Sequence, residues 1–218
     1  MADLRDYLAL YVITDERDDQ DSLLEACQAA LRGGTRVIQL RRKHDSGRSL
    51  IRLGWAIREL TAAHGALYLV NDHVDVALAT DADGAHVGQD DMSLAEARRL
   101  LGQRIIGVSV ATREEALKAT GEGADYLGVG AIFATSTKTD ADISGLEGLR
   151  QIAEAIEGCP LVAVGGINAA NAGAVLEAGA HGLAVVSAVM LAADPEEAAR
   201  RLRAQVETVR SRSSRKRA

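Results

Sequence analysis

The chain has 218 residues, of which 47% are hydrophobic but only 3% aromatic, and its formal net charge is -6 at pH 7. This length is enough for one sizeable core and lies in the range of single-domain α/β barrels. A core of Ala, Val, Leu and Ile suits buried parallel strands better than an all-β sandwich. The acidic body has no basic stripe interleaved with aromatic residues, which argues against a nucleic-acid partner.

The lack of a targeting signal and the placement of the cysteines predict a cytoplasmic protein. The sequence contains no signal peptide and no apolar run of transmembrane length, so we expect no membrane partner. Cys27 and Cys159 lie far apart and in no metal-ligand spacing, and we expect both to be buried in a reducing compartment. Residues 210–218 are rich in Arg, Lys and Ser without apolar periodicity. They predict a disordered basic tail after a barrel domain of residues 1–209.

Eight short apolar runs with strand character recur along the chain, separated by segments with helical spacing of apolar residues. In order, the runs are Leu8–Thr14, Arg36–Leu40, Leu67–Val70, Gly84–Val87, Ile105–Val108, Tyr126–Val129, Leu161–Val164 and Gly182–Val185. An open doubly wound sheet shares this alternation, but a dinucleotide-binding sheet carries G-x-G-x-x-G after its first strand. Here the first strand runs into Thr14-Asp15-Glu16-Arg17. We therefore predict a single (β/α)8 barrel.

The loop after the second strand carries a basic motif. In barrels of this kind, function lies on the loops that follow the strands. Strand alternation places Gln39, Arg41 and Lys43 on one side of the chain. A guanidinium that binds in bidentate fashion and a compact ammonium suit a polyphosphate. A solvated basic loop is the alternative interpretation of this motif taken alone.

Carboxylates follow the next two strands. Asn71-Asp72 follows the third run and Gln89-Asp90-Asp91 the fourth. Carboxylates on neighbouring strand ends can share one hard cation, and Mg2+ accepts one or two of them together with water and substrate phosphate. Either group could instead cap a following helix. Their position beside the basic strand end favours a metal site.

The remaining loops predict a second phosphate site. Ser109 follows the fifth run, and the long segment 130–144 with its hydroxyls and one lysine is typical of a binding loop, or of a flexible hydrophilic one. Gly165-Gly166-Ile167-Asn168 and Val186-Ser187-Ala188 follow the last two strands, where barrels often bind phosphate through backbone N–H groups. A glycine pair needed only for turn geometry is the alternative. Two groups of phosphate ligands on one rim predict two phosphorylated substrates.

Seven motifs together resemble the thiamine phosphate synthase family. They are Tyr11-Val12-Ile13-Thr14-Asp15, Gln39-Leu40-Arg41-Arg42-Lys43, Val70-Asn71-Asp72, His86-Val87-Gly88-Gln89-Asp90-Asp91, Gly107-Val108-Ser109, Thr135-Ser136-Thr137-Lys138 and Val164-Gly165-Gly166-Ile167. The match runs in register over residues 8–205. Each motif is weak alone, but the combination is specific.

The resemblance implies a reaction and a set of site residues. Such enzymes join 4-amino-2-methyl-5-pyrimidinylmethyl diphosphate to 4-methyl-5-(2-hydroxyethyl)thiazole phosphate, and they release pyrophosphate and thiamine phosphate. The pyrimidine diphosphate would be bound by Gln39, Leu40, Arg41, Arg42, Lys43, Asn71, Ser109 and Lys138, of which Arg41, Lys43, Ser109 and Lys138 would be catalytic. The thiazole phosphate would be bound by Thr135, Ser136, Thr137, Gly166, Val186 and Ser187. Mg2+ would be held by Asp72 and Asp91.

The chain departs from the family pattern at two places, and two rival functions stay open. Arg42 stands where the family usually has Glu, and residues 130–134 lack the proline of the family's loop, which bears on the rigidity of that loop. A related thiazole tautomerase would need no Mg2+ carboxylates and would place a histidine at the position of Ser109. A non-catalytic barrel that binds a phosphorylated ligand would not explain three cations beside two carboxylates. A homodimer is compatible with the sequence, which does not decide it.

Overall fold

Eight parallel strands close into one barrel in the computed structural model, which describes residues 3–134 and 144–217, with side chains up to Arg212. Each strand pairs with the next along the chain, and β8 pairs with β1. The strands are β1 Leu10–Ile13, β2 Val37–Leu40, β3 Leu67–Asn71, β4 Gly84–Val87, β5 Ile105–Val110, β6 Tyr126–Val129, β7 Leu161–Val164 and β8 Gly182–Val185. The predicted (β/α)8 fold is confirmed, and every predicted run contains a strand or most of one.

Helices surround the barrel. They are α1 Leu4–Tyr7, α2 Gln20–Arg32, α3 Gly47–Ala63, α4 Val74–Ala79, α5 Leu94–Leu101, α6 Arg113–Gly121, α7 Gly145–Ala155, α8 Ala172–Glu177, α9 Ser187–Met190 and α10 Pro195–Arg217. Side-chain oxygens start several of them: Ser46, Ser93 and Thr112 each accept from a backbone N–H of the first turn. In the part of the chain that the structure describes, no helix combines the length and apolarity that a membrane crossing requires.

The strands separate two apolar layers because successive side chains point to opposite faces. The outer layer lies between the strands and the helices, and it includes both cysteines, Cys27 and Cys159, which are buried as predicted. The inner layer fills the barrel and consists of Leu8, Tyr11, Ile13, Val37, Leu69, Tyr126, Val162 and Ala184. The inward positions that follow this layer open toward the carboxyl ends of the strands, where the site lies.

The C-terminal helix extends beyond the boundary that the sequence predicts. Arg210, where a disordered tail is predicted to begin, lies within α10. Its guanidinium is 3.2 Å from a carboxylate oxygen of Asp6 and donates to the carbonyls of Arg5 and His181 at 2.6 and 2.8 Å. The prediction of disorder is therefore wrong at this residue, since its acceptors belong to segments far away in the sequence. Ala218 lies outside the described residues.

Candidate active site

A cavity of about 180 Å³ opens at the carboxyl ends of the strands. Ten of the predicted site residues line it: Gln39, Arg41, Lys43, Asn71, Asp72, Asp91, Ser109, Gly166, Val186 and Ser187. Leu40 and Arg42 do not line it. Thr135, Ser136, Thr137 and Lys138 lie outside the described residues. The barrel thus brings together residues from strands two to five and from strands seven and eight, as the order of the loops predicts.

The basic wall is held by the loop that follows β1. The Thr14 hydroxyl accepts from the Arg41 N–H at 2.9 Å and donates to the Arg41 carbonyl at 3.0 Å, which ties the ends of β1 and β2 together. A carboxylate oxygen of Glu16 accepts from the backbone N–H of Lys43 at 3.0 Å and lies 3.7 Å from Nη1 of Arg41. These contacts hold the backbone of Arg41 and Lys43, whose side chains both line the cavity.

Leu40 and Arg42 face away from the cavity. The Leu40 side chain is buried in the outer apolar layer. The Arg42 guanidinium lies 3.0 Å from Asp45 Oδ1 and donates to the carbonyl oxygens of Asp15 and Arg17. Strand alternation explains both orientations, since Arg41 and Lys43 occupy the inward positions. The implied role of these two side chains as diphosphate ligands is therefore corrected, and Arg42 instead ties the β1–α2 loop to the β2–α3 loop.

We expect Arg42→Ala to lower the free energy of unfolding by on the order of 3 kcal/mol, because it removes the cation paired with the Asp45 carboxylate and leaves that group, among the described residues, only the Ser49 hydroxyl as a side-chain donor. Urea denaturation measures this change. Replacement of the exposed Arg48 by alanine, in the first turn of α3, is the matched control and should leave the midpoint unchanged. Equal midpoints for the two variants would contradict a clamping role for Arg42.

Two carboxylates meet beside the basic wall. Asp72 follows β3 with a φ of 61°, a left-handed conformation that aspartate tolerates better than most residues. Asp91 Oδ2 accepts from the Gly88 N–H at 2.8 Å. Partial burial, a hydrogen bond to Asp91 and the charge of Asp91 raise the pKa of Asp72 to about 6, and Lys43 and Arg41 oppose the shift. Carboxylates this close together attract either a proton or a cation.

The chemistry of this donor set fits Mg2+. Among the described residues, no group of three or more His, Cys, Asp or Glu side chains could enclose a metal ion. Asp72 and Asp91 supply two hard oxygen donors, and the Asn71 amide lies beside them at the cavity wall. Magnesium is commonly held by one or two carboxylates and completes its shell with water and substrate phosphate. The residues therefore fit an ion shared with a phosphorylated ligand.

Aromatic side chains that sequence reasoning missed form the cavity floor. Tyr11 and Tyr126 are buried inside the barrel and line the cavity together with His86. A Cβ added at Gly107 would lie 2.1 Å from Cζ of Tyr126, and one at Gly128 would lie 2.8 Å from Cε1 of His86. Glycine at these inward positions makes room for the rings. Their place on the inward side of β1, β4 and β6 is the sequence signal that could have found them.

His86 is hydrogen-bonded inside the barrel. Its Nδ1 lies 2.9 Å from the Tyr126 hydroxyl, and its Nε2 lies 2.8 Å from Oγ of Ser109. Gln89 donates to the Ser109 carbonyl at 2.6 Å. Ser109 is thereby held from both its side chain and its backbone at the edge of the cavity.

The wall formed after β7 and β8 has no charged side chain among its lining residues. Gly165 and Gly166 have φ values of 101° and 64°, which favour glycine. A Cβ at Gly166 would lie 2.7 Å from Cβ of Phe133 and 2.8 Å from the Ala134 carbonyl oxygen. Val186 and Ser187 complete the wall where α9 begins. This wall offers backbone groups rather than charged side chains to a ligand, in contrast to the side that carries Arg41, Lys43, Asp72 and Asp91.

We expect Gly166→Ala to raise the KM of any ligand bound at this wall by about tenfold, because the new methyl group must displace the turn and its φ is strained for alanine. Steady-state kinetics with each substrate in turn measures the change. Gly173→Ala is the matched control, since a Cβ there meets nothing within 4 Å and the residue lies in helix α8. A Gly166→Ala enzyme with both KM values unchanged would contradict a binding role for this turn.

A closed parallel barrel, a pair of cations next to a pair of carboxylates, and a glycine turn after β7 define a (β/α)8-barrel protein built to hold phosphorylated ligands. The family model described as thiamine monophosphate synthase matches residues 10–189, and the chain belongs to that family.

Curated relatives and solved structures agree with this assignment. The chain is 52% identical over 206 residues to a thiamine-phosphate synthase of Chloroflexus aurantiacus, a match that covers 94% of this chain and 95% of the relative. It is 48% identical to the corresponding protein of Pyrococcus furiosus, with 94% and 98% covered. A solved structure of thiamine phosphate pyrophosphorylase from Pyrococcus furiosus superposes with a TM-score of 0.87 at 45% identity, over 95% of this chain and 99% of that one.

Proposed function

We propose that this protein is a transferase that moves the pyrimidinylmethyl group of 4-amino-2-methyl-5-pyrimidinylmethyl diphosphate to the ring nitrogen of 4-methyl-5-(2-hydroxyethyl)thiazole phosphate. The bond between the methylene carbon and the diphosphate oxygen breaks, and a carbon–nitrogen bond forms to give thiamine phosphate and pyrophosphate. The observation that carries the proposal is one cavity lined by Arg41 and Lys43 next to Asp72 and Asp91, with an uncharged glycine turn on the other side.

Departure of the diphosphate is the step of the reaction that the protein must assist. The attacking thiazole nitrogen has a lone pair and no hydrogen, so no general base is required. The departing diphosphate is a highly charged anion, and fixed cations that face it lower the barrier to its departure. Arg41 can bind it in bidentate fashion and Lys43 as a point charge. The backbone at both residues is held by Thr14 and Glu16 before any ligand arrives.

We infer that Asp72 and Asp91 hold Mg2+ during this reaction. The pair lies next to the two cations, and burial together with the neighbouring Asp91 raises the pKa of Asp72, so a bound cation would offset the cost of holding two ionised carboxylates here. When bound, the ion supplies Lewis-acid stabilisation of phosphate oxygens. Asp72 and Asp91 also keep that charge on the diphosphate side of the cavity, away from the uncharged wall.

The second substrate is assigned to the uncharged wall. Gly166, Val186 and Ser187 would bind the thiazole phosphate through backbone groups. Thr135, Ser136, Thr137 and Lys138 keep the roles that the family resemblance implies, as predictions outside the described residues. All the groups named belong to one chain, so the proposed reaction does not require a homodimer. A homodimer remains compatible with the sequence. A cytoplasmic location follows from the proposed substrates, since phosphorylated compounds do not cross membranes unaided.

The proposal is tested by incubating the purified protein with both substrates, with and without Mg2+, while pyrophosphate and thiamine phosphate are measured. We expect equal amounts of the two products, formed only when both substrates and the metal are present. Isomerisation of a thiazole phosphate without pyrophosphate would favour the tautomerase alternative. Binding of the substrates without any conversion would favour the non-catalytic alternative.

A further inference from the structure

Five polar side chains form a continuous hydrogen-bonded line across the cavity floor. Nε2 of Gln39 donates to the Tyr11 hydroxyl at 2.5 Å, and the Tyr11 and Tyr126 hydroxyls are 2.9 Å apart. The Tyr126 hydroxyl is 2.9 Å from Nδ1 of His86, and Nε2 of His86 is 2.8 Å from Oγ of Ser109. We call these five residues the floor relay. Its first four members are at most 8% exposed, so water cannot easily substitute for a missing partner.

The number of hydrogens in the floor relay limits how it can be arranged. Burial raises the pKa of both Tyr11 and Tyr126 well above the ordinary range, so each phenol keeps its single hydrogen. The amide nitrogen of Gln39 can donate but cannot accept. Tyr11 therefore accepts from Gln39 and has one hydrogen to give to Tyr126. Tyr126 in turn has one hydrogen to give to Nδ1 of His86.

We propose that the floor relay has a single direction, from Gln39 to Ser109, and that it holds His86 as the tautomer with hydrogen on Nε2. Nε2 then donates to Oγ of Ser109. Among the described residues, no acceptor is found for the Ser109 hydroxyl hydrogen, and Ser109 lines the cavity. Ser109 thus presents a hydrogen-bond donor to the ligand, and His86 is a positioning residue that acts through it.

The consequence for binding rests on the proposed function. A pyrimidine ring nitrogen and a phosphate oxygen both carry lone pairs and no hydrogen, so either could accept from Ser109. The floor relay would favour such an acceptor and disfavour a ligand that presents a donor at the same place, because two donors would then face each other. The direction of the relay is a property of the protein alone and can be tested whether or not the proposed function holds.

The direction is tested by nitrogen-15 NMR of the imidazole rings, with His86→Gln used to assign the signals. We expect the His86 hydrogen on Nε2 in the unaltered protein. Gln39→Glu should move it to Nδ1 at pH 8, because a carboxylate only accepts and reverses every bond in the line. Adding Tyr11→Phe to this variant breaks the line and should return the hydrogen to Nε2. Adding Tyr68→Phe instead, which removes a buried hydroxyl bonded to Thr80, should leave the reversal intact.

Two results would overturn the inference. One is a hydrogen on Nδ1, or on both nitrogens, of His86 in the unaltered protein. The other is a Gln39→Glu variant that keeps a native spectrum elsewhere yet still has the hydrogen on Nε2 at pH 8. Either result would show that residue 39 does not set the direction of the relay, independently of any turnover.

Kinetics tests the role of the presented donor. We expect Ser109→Ala and His86→Leu each to raise the KM of the pyrimidine diphosphate about tenfold, the effect of one lost hydrogen bond. His86→Gln keeps an N–H near the position of Nε2 and should stay within about threefold of the unaltered enzyme. Weaker inhibition of Ser109→Ala by inorganic pyrophosphate would place the acceptor on the diphosphate, and equal inhibition would place it on the ring. Equal KM values for His86→Leu and the unaltered enzyme would overturn the positioning role.

Discussion

Asp72→Asn is expected to lower turnover by at least about a hundredfold while the protein keeps its fold. The substitution preserves the shape of the side chain and removes one of the two carboxylates that line the cavity next to Arg41 and Lys43. Lewis-acid stabilisation by a bound metal contributes several kcal/mol, and each 1.4 kcal/mol is roughly a factor of ten in rate. The variant should also need more Mg2+ for half-maximal activity. Product formation over a magnesium titration measures both effects.

The same variant is expected to be more stable than the unaltered protein at neutral pH. The pKa of Asp72 is raised to about 6, above the value near 4 of an unfolded aspartate. Stability associated with the neutral form is therefore present below pH 4 and is lost as the pH rises through about 6. At pH 8 the ionised side chain opposes folding, and an amide at this position removes that effect. Thermal unfolding at pH 8 measures the difference.

Asp75→Asn is the matched control for Asp72→Asn, since Asp75 is exposed at the start of α4 and does not line the cavity. It should change neither turnover nor the magnesium titration. A loss of activity at Asp72 together with a loss of stability would indicate a structural role. Full turnover of Asp72→Asn at low Mg2+ would contradict the assignment of this residue to a metal site.

Arg41→Ala is expected to lower kcat/KM for the pyrimidine diphosphate by about 10²- to 10³-fold, the cost of removing one fixed donor from a developing anion. Arg41→Lys should recover part of this loss, because it keeps the charge but not the bidentate geometry. The KM of the thiazole phosphate should hardly change, since that ligand is assigned to the opposite wall. Steady-state kinetics with each substrate varied in turn measures these effects.

The adjacent Arg42 is the internal control for Arg41. Its guanidinium binds Asp45 and backbone carbonyls and does not reach the cavity. Arg42→Ala should therefore reduce stability more than Arg41→Ala does, and it should reduce activity less. If the two alanine variants lose activity equally, the separation of these neighbouring arginines into a binding residue and a clamping residue is wrong.

Lys138→Ala is also expected to abolish turnover. This expectation rests on the family resemblance alone.

The strand pattern predicted much of the site because orientation in a strand is a local property. Alternation alone places Gln39, Arg41 and Lys43 on one side, and the structure agrees. The family resemblance implied Leu40 and Arg42 as further ligands, although strand alternation places them on the other side. Their side chains do lie on the outer face. Strand alternation therefore predicted more accurately than the family resemblance which side chains reach the cavity.

The sequence by itself determined the fold class, the family and the end of the barrel at which the site lies. Apolar periodicity and loop motifs involve residues that are close together in the sequence. The tertiary structure alone decided which distant groups meet. Tyr11 and Tyr126 are 115 residues apart, yet their hydroxyls form the centre of the floor relay. Arg210 belongs to an ordered helix because Asp6, Arg5 and His181 offer it acceptors. Such contacts depend on barrel closure, which no local pattern records.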